Sequence, residues 1–242
     1  MTARDRYGRH PLMLSAKKGC GGLSQLLIRR NADIYAVDSE GRSVLMYVAW
    51  GGNVKLMRWI LDKYKLELDQ RDKQQWTAIM YAVSARAKGV FEELLKRGAL
   101  LQLANEDGLT LPMFAAGSES LIMVKAVLQA GMNPDYTKSP LGFTPLMVAI
   151  MENQRNIAEE LIRQGADIEH ETREGQITPL MVAVVEKRTG CLKRLLRAGA
   201  DPNYESDESG AMPLLLAVES GSLSVVKILL DSGADPEQRN RW

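Results

Sequence analysis

The chain has 242 residues, 45% hydrophobic and 25% charged, and that much apolar material offsets chain entropy and argues against disorder. A net charge of +1 names no partner, and the longest apolar run, Ala211 to Val218, is far short of a membrane span, which needs ~18 residues. The first residues lack a secretory-signal pattern, and two cysteines (Cys20, Cys191) with no glycosylation sequon point to a reducing cytoplasmic setting, the nucleus or the interior of a host cell staying open.

One pattern recurs along the chain. Its starting slot is held in order by His10, Ser43, Thr77, Thr110, Thr144, Thr178 and Met212, at spacings of 33 or 34 residues. The last three copies are plainest: Thr144-Pro145-Leu146-Met147, Thr178-Pro179-Leu180-Met181 and Met212-Pro213-Leu214-Leu215. Ala149, Ala183 and Ala217 follow at one offset, and Gly-Ala-Asp triplets begin at Gly165, Gly199 and Gly233. A hydroxyl at the starting slot can cap a helix, and proline suits the first helical position because no donor is missed there. A second helix is read from paired apolar residues such as Leu56, Met57, Ile60, Leu61 and Val225, Val226, Leu229, Leu230. Gly98, Gly131, Gly165, Gly199 and Gly233 stand where that helix must stop, with Asn31 in the same slot of the first unit.

This pattern resembles the ankyrin repeat, a ~33-residue unit of turn and two helices with a Thr-Pro-Leu-His-x-Ala signature. The resemblance implies an all-α repeat solenoid: helix-turn-helix units joined by β-turn loops. The units read as 5–37, 38–71, 72–104, 105–138, 139–171, 172–205 and 206–238 of a single domain, 1–242. The chain departs from the signature in three ways. The histidine is replaced by Met13, Met46, Met80, Met113, Met147, Met181 and Leu215, so the bonds by which it ties neighbouring turns are expected to be absent and the coupling softer. Pro112 comes one place late, predicting a different start for that helix. The second unit lacks the glycine stop, so Asp62–Lys65 should lengthen or bulge the helix. Residues 1–4 are too few for a capping element, and 238–242 read as the start of an eighth turn, which suggests part of a longer chain.

A search for catalytic groups returns little. His10 falls in a capping slot and His170 in a turn; Cys191 matches a core position and Cys20 a turn, with no zinc-ligand spacing. Lys17-Lys18-Gly19-Cys20-Gly21-Gly22 lacks the phosphate-loop spacing and falls in a helix–helix turn. The expectation is a protein without catalytic residues, metal or cofactor.

Function then rests on surface. The resemblance implies a concave face of turn tips and inner helices that holds partners. The candidate partner-binding residues there are Tyr7, Arg9, Arg42, Trp50, Lys73, Trp76, Leu109, Phe143, Met151, Glu174 and Glu208. Large apolar groups in the middle suggest aromatic anchors, unless the rings tuck against the next repeat; Trp59, on a second helix, reads as packing. Residues 1–104 hold 18 Lys+Arg against 10 Asp+Glu, and residues 105–242 hold 13 against 20. Such polarity steers and orients a partner more than it adds affinity. The expected function is a monomeric, non-enzymatic scaffold for a protein or peptide partner. The alternative is a binder of an anionic small ligand or single-stranded nucleic acid, with Trp50 and Trp76 stacking and Arg42 and Lys73 on phosphates. The acidic second half argues against nucleic acid.

Overall fold

The computed structural model describes residues 3–239. Within them fourteen helices come in pairs, one pair per sequence unit. They are α1 (Pro11–Lys17) and α2 (Gly21–Arg29), α3 (Val44–Gly51) and α4 (Val54–Lys63), α5 (Ala78–Ser84) and α6 (Lys88–Lys96), and α7 (Leu111–Gly117) and α8 (Leu121–Gln129). Then follow α9 (Pro145–Met151) and α10 (Arg155–Arg163), α11 (Pro179–Val185) and α12 (Thr189–Ala198), and α13 (Pro213–Glu219) and α14 (Leu223–Asp231). The proposed eighth turn and the amino-terminal segment lie partly outside the described residues.

The chain divides into two compact units, Met1–Ser118 and Glu119–Trp242. In the first, α1, α3, α5 and α7 stack side by side as an inner layer, backed by α2, α4 and α6. In the second, α9, α11 and α13 form the inner layer, backed by α8, α10, α12 and α14. The core of each unit lies between its two layers.

The caps follow the chemistry of the starting slot. Thr144 and Thr178 accept a bond from the backbone N–H of Met147 and Met181 at 3.4 and 3.3 Å, and Ser43 from Met46 at 3.4 Å. His10 and Met212 supply no such bond, and the buried Thr77 hydroxyl has no partner. At the other end of each pair, Gly98, Gly199 and Asn31 take the left-handed backbone, at φ 90°, 101° and 64°.

One expectation needs correction. The late Pro112 changes nothing at the helix start: α7 begins directly after Thr110, with proline in its first turn, where no donor is lost. The methionine slot is buried in the first six units, but Leu215 is 43% exposed. Neighbouring turns are also joined by backbone bonds, which do not depend on the replaced histidine. Ser39 N–H donates to Tyr7 C=O, Lys73 to Glu40 and Glu106 to Gln74, at 2.9–3.0 Å; in the second unit Arg173 donates to Leu141 at 3.0 Å. In the second sequence unit α4 runs ten residues, as α12 does with its glycine stop kept, and ends at an extended Tyr64.

Gly51 is required by close packing. A Cβ there would overlap the carbonyl oxygen of Ala16 on α1. Its absence lets α1 and α3 approach, which matters for the surface they share.

Candidate interaction surface

Three positions of each repeat build the inner surface. One lies just before the starting slot, and two lie four and seven residues after it. The latter two are a helical turn apart and share a face. In chain order the first three pairs read Arg9, Leu14, Lys17; Arg42, Tyr47, Trp50; and Trp76, Tyr81, Ser84. The next three read Leu109, Phe114, Gly117; Phe143, Val148, Met151; and Ile177, Val182, Val185.

In the first unit these positions converge. The ring centroid of Trp50 lies 6.2 Å from that of Tyr47 and 5.3 Å from that of Tyr81. Trp76 lies 5.1 Å from Tyr81 and 4.4 Å from Phe114. The result is one continuous row of rings from Tyr47 to Phe114. Tyr47 and Tyr81 are buried beneath the tryptophans, while Trp50, Trp76 and Phe114 are half-buried. The alternative of rings tucked against a neighbouring repeat therefore holds in part: Trp50 and Trp76 each lean on the next repeat and keep the rest of the ring outward.

The turns beneath these rings are set by an aspartate that the motif reading passed over. Asp38 accepts the N–H groups of Glu40 and Arg42 at 2.9 Å, and its other oxygen takes the Arg42 Nε at 2.8 Å and the Tyr47 hydroxyl at 2.7 Å. Asp72 does the same for Gln74 and Trp76 N–H and the Tyr81 hydroxyl. Asp5 holds Tyr7 and Arg9. Burial raises the Asp38 carboxyl, but the bonds from Tyr47 and Arg42 outweigh it and hold it below its ordinary value. Burial and the bond to Asp38 push the Tyr47 hydroxyl well above the usual tyrosine range. Both groups keep their protonation state at neutral pH. The signal that would have found them is a small polar residue five places before each of the first five starting slots (Asp5, Asp38, Asp72, Asn105 and Ser139) and six places before the last two (Thr172 and Ser206).

The cations gather at one end of the ring row. The Lys17 ammonium sits over the Trp50 ring, 3.4 Å from its centroid. Arg42 lies 5.9 Å from the Tyr47 centroid, and Arg9 lies 4.8 Å from that of Tyr7. Burial lowers the Lys17 ammonium below its ordinary value, and Arg9 and Arg42 lower it further. Among the predicted residues, Tyr7 and Lys73 are exposed, and Arg9, Arg42 and Leu109 are half-buried. Trp59 packs edge-on against Tyr64 at 6.4 Å.

The predicted residues of the second unit are not gathered as tightly. Phe143 is half-buried and Met151 40% exposed. Glu174 and Glu208 are exposed, and Glu208 accepts the Gly175 N–H at 2.8 Å. Sequence reasoning missed Val148 and Val185, which continue the same positions; Val185 is 52% exposed. A shallow cleft of about 450 Å³ lies instead on the outer helices, among Lys193, Leu196, Arg197, Ile228, Asp231 and Ser232, and includes no predicted residue. His170 Nε2 bonds to the Gly142 carbonyl at 2.9 Å, within the turn scaffold. Among the described residues no cluster of His, Cys, Asp and Glu could hold a metal ion, and no helix is long and apolar enough to cross a membrane.

Comparison with known proteins agrees with this architecture. A family model described as ankyrin repeats (3 copies) matches residues 12–105, 85–172 and 169–240. The chain is 29% identical over 161 residues to the ankyrin repeat and KH domain-containing protein mask-1 of Caenorhabditis elegans, covering 66% of this chain and 6% of that protein. It is 29% identical over 178 residues to Rabankyrin-5 of Mus musculus, covering 72% of this chain and 15% of that one. This chain thus spans a small part of the relatives it matches. The crystal structure of the human ASB11 ankyrin repeat domain superposes with a TM-score of 0.82 at 23% identity, covering 94% of this chain and all of that one. The chain belongs to the ankyrin repeat family, whose repeats serve protein–protein interaction and whose fold is generally a non-catalytic scaffold.

Proposed function

We propose that this chain is a non-enzymatic interaction module that holds a protein or peptide partner against the inner face of its repeats, with the hot spot on Trp50 and Trp76. The carrying observation is the half-buried ring row from Trp50 through Trp76 to Phe114. Rings fixed by packing, with an edge still in water, offer contact area without further loss of side-chain freedom. Arg9, Arg42 and Lys73 flank the row on the basic side. Leu109 extends the apolar positions within the first unit, and the second unit offers Phe143 and Met151 as apolar and Glu174 and Glu208 as acidic candidates of its own. Tyr7, stacked beneath Arg6 and Arg9, belongs to the same rim. We place the module in a reducing compartment such as the cytoplasm, working as a monomer or within a longer chain; both cysteines are free thiols. The reading as a nucleic-acid binder is disfavoured because Lys17 already covers a face of Trp50, and Trp76 is wedged between Tyr81 and Phe114.

Affinity capture with mass spectrometry, comparing wild type with Trp50→Ala, tests this reading once thermal melts show both to be folded. A partner retained by the wild type and lost from Trp50→Ala is expected. An unchanged set of captured proteins contradicts it.

A further inference from the structure

We infer that the corner formed by Arg9, Lys17 and Arg42 is a subsite for a carboxylate of an extended acidic peptide, whose neighbouring apolar side chain rests on Trp50 and Trp76. This deepens the interaction reading above and rests on it.

The argument starts from how the three cations are satisfied. Arg9 spends its fork on Asp5, with Nε and Nη2 at 2.8 and 2.6 Å from one carboxylate oxygen. Arg42 is bound to the fully buried Asp38 side chain at 2.8 Å. Those two carboxylates are also the anchors of their turns, so they serve structure first. Lys17 differs. Among the described residues no carboxylate pairs with it, and its ammonium rests on the Trp50 ring while feeling the repulsion of both arginines. A partly buried ammonium without a counter-ion is costly. An incoming carboxylate relieves that cost where hydration is already reduced, and gains a charge-assisted hydrogen bond there.

The surroundings select the class of guest. Three positive groups at the mouth repel a cationic side chain, so a lysine or methylated lysine does not fit the rings here. Lys17 lies over one face of Trp50, and the tilted Tyr81 and Phe114 rings crowd Trp50 and Trp76, which favours an aliphatic or aromatic side chain at the ring edges over a stacked base. The geometry also sets spacing. Repeats stack at ~10 Å, and an extended peptide advances ~3.3 Å per residue, so it spends about three residues per repeat. Lys17 and Arg9 are on the first repeat, Trp50 on the second and Trp76 on the third. Acidic residues about three to six places from a large apolar residue match that order.

The test uses the full chain and fluorescein-labelled peptides that carry a block of Glu, a Ser spacer and a Trp-Leu pair, with Gln or Lys in place of Glu as comparators. The Glu peptide should bind at least roughly tenfold tighter than the Gln peptide, and Lys17→Met should lose about that factor while Lys17→Arg retains it. Thermal melts of both variants should match wild type. Equal binding of the Glu and Gln peptides, or an unaltered affinity in Lys17→Met, overturns the assignment. So does tighter binding of oligothymidylate than of the Glu peptide, or a dimer in sedimentation that Lys17→Met abolishes. Trp50→Ala separates the two levels. If wild type binds the Glu and Gln peptides equally and Trp50→Ala weakens both, the interaction surface stands and only the carboxylate subsite fails; if Trp50→Ala weakens neither, both fail.

Discussion

Trp76→Ala should destabilise the first unit as well as disturb binding, because the ring is part of the packing. A tryptophan buries roughly 150–250 Å² when enclosed, and most of Trp76 is enclosed, so at least about 100 Å² is removed from water. At ~25 cal/mol per Å² this gives about 2.5 kcal/mol. The ring pairs with Tyr81 at 5.1 Å and Phe114 at 4.4 Å add about 0.5–1.5 kcal/mol each, less what relaxation and residual burial in the unfolded chain recover. The expected loss is about 2–4 kcal/mol, read from the first urea transition of the full chain by far-ultraviolet circular dichroism. Trp76→Phe keeps one ring in place and should cost about half as much or less. A loss for Trp76→Ala within ~0.5 kcal/mol, the range of an unpacked surface residue, would refute the packing argument.

Gly51→Ala should push α1 from α3, because its Cβ meets the Ala16 carbonyl oxygen; a cost of about 2–3 kcal/mol is expected, with loss of any quenching of Trp50 by Lys17, and a neutral melt would contradict the close approach. His10 is buried, its Nε2 has no partner, and burial, helped by Arg4, lowers its pKa below the ordinary value of 6.5. Unfolding therefore takes up a proton at acid pH, and stability should fall as pH drops below 6.5 until the lower folded-state value is reached. His10→Thr should flatten that part of the pH–stability curve and add a cap worth ~1 kcal/mol; an unaltered curve would sink the idea. Bonds from Arg58 and Arg97 hold the buried Glu93 carboxyl below its ordinary value of 4.5. Its contribution is complete above that value and fades as pH falls through the lower folded-state value, so Glu93→Gln should cost about 1–2 kcal/mol at neutral pH, given the exposure of Arg58, and little in acid. Hydrogen exchange should be fastest in the first and last repeats, whose cap slots hold His10 and Met212; uniform protection would contradict this.

The period and the helix pairs were legible because caps, stops and paired apolar residues recur at fixed offsets, and each reports a local backbone demand. The surface was legible only in part. Trp50 and Trp76 stood out as large rings near turn tips, but Tyr47, Tyr81 and Phe114 were absorbed into the apolar face of their helices. They share one offset, four residues after the starting slot, and that position lies at the edge of the core, where a ring is both packing and surface. Asp38 and Asp72 were passed over because a solitary aspartate before a turn has no motif; its meaning lies in the five-residue offset and in the tyrosine nine residues on. The pairing of Lys17 with Trp50 joins equivalent positions of successive repeats, 33 residues apart. No reading of one repeat alone contains it, and it depends on Gly51 to bring the two helices close.

The central claim, that partners are held on the inner face of the first unit, is tested most directly by photocrosslinking from two exposed positions of the full chain. One crosslinking residue replaces Ser84, beside Tyr81 at the end of α5, and the other replaces Lys55, on the outer helix α4. The same partner protein should be trapped from Ser84 and not from Lys55. A partner trapped from Lys55 and absent from Ser84 would place binding on the outer helices and contradict the account.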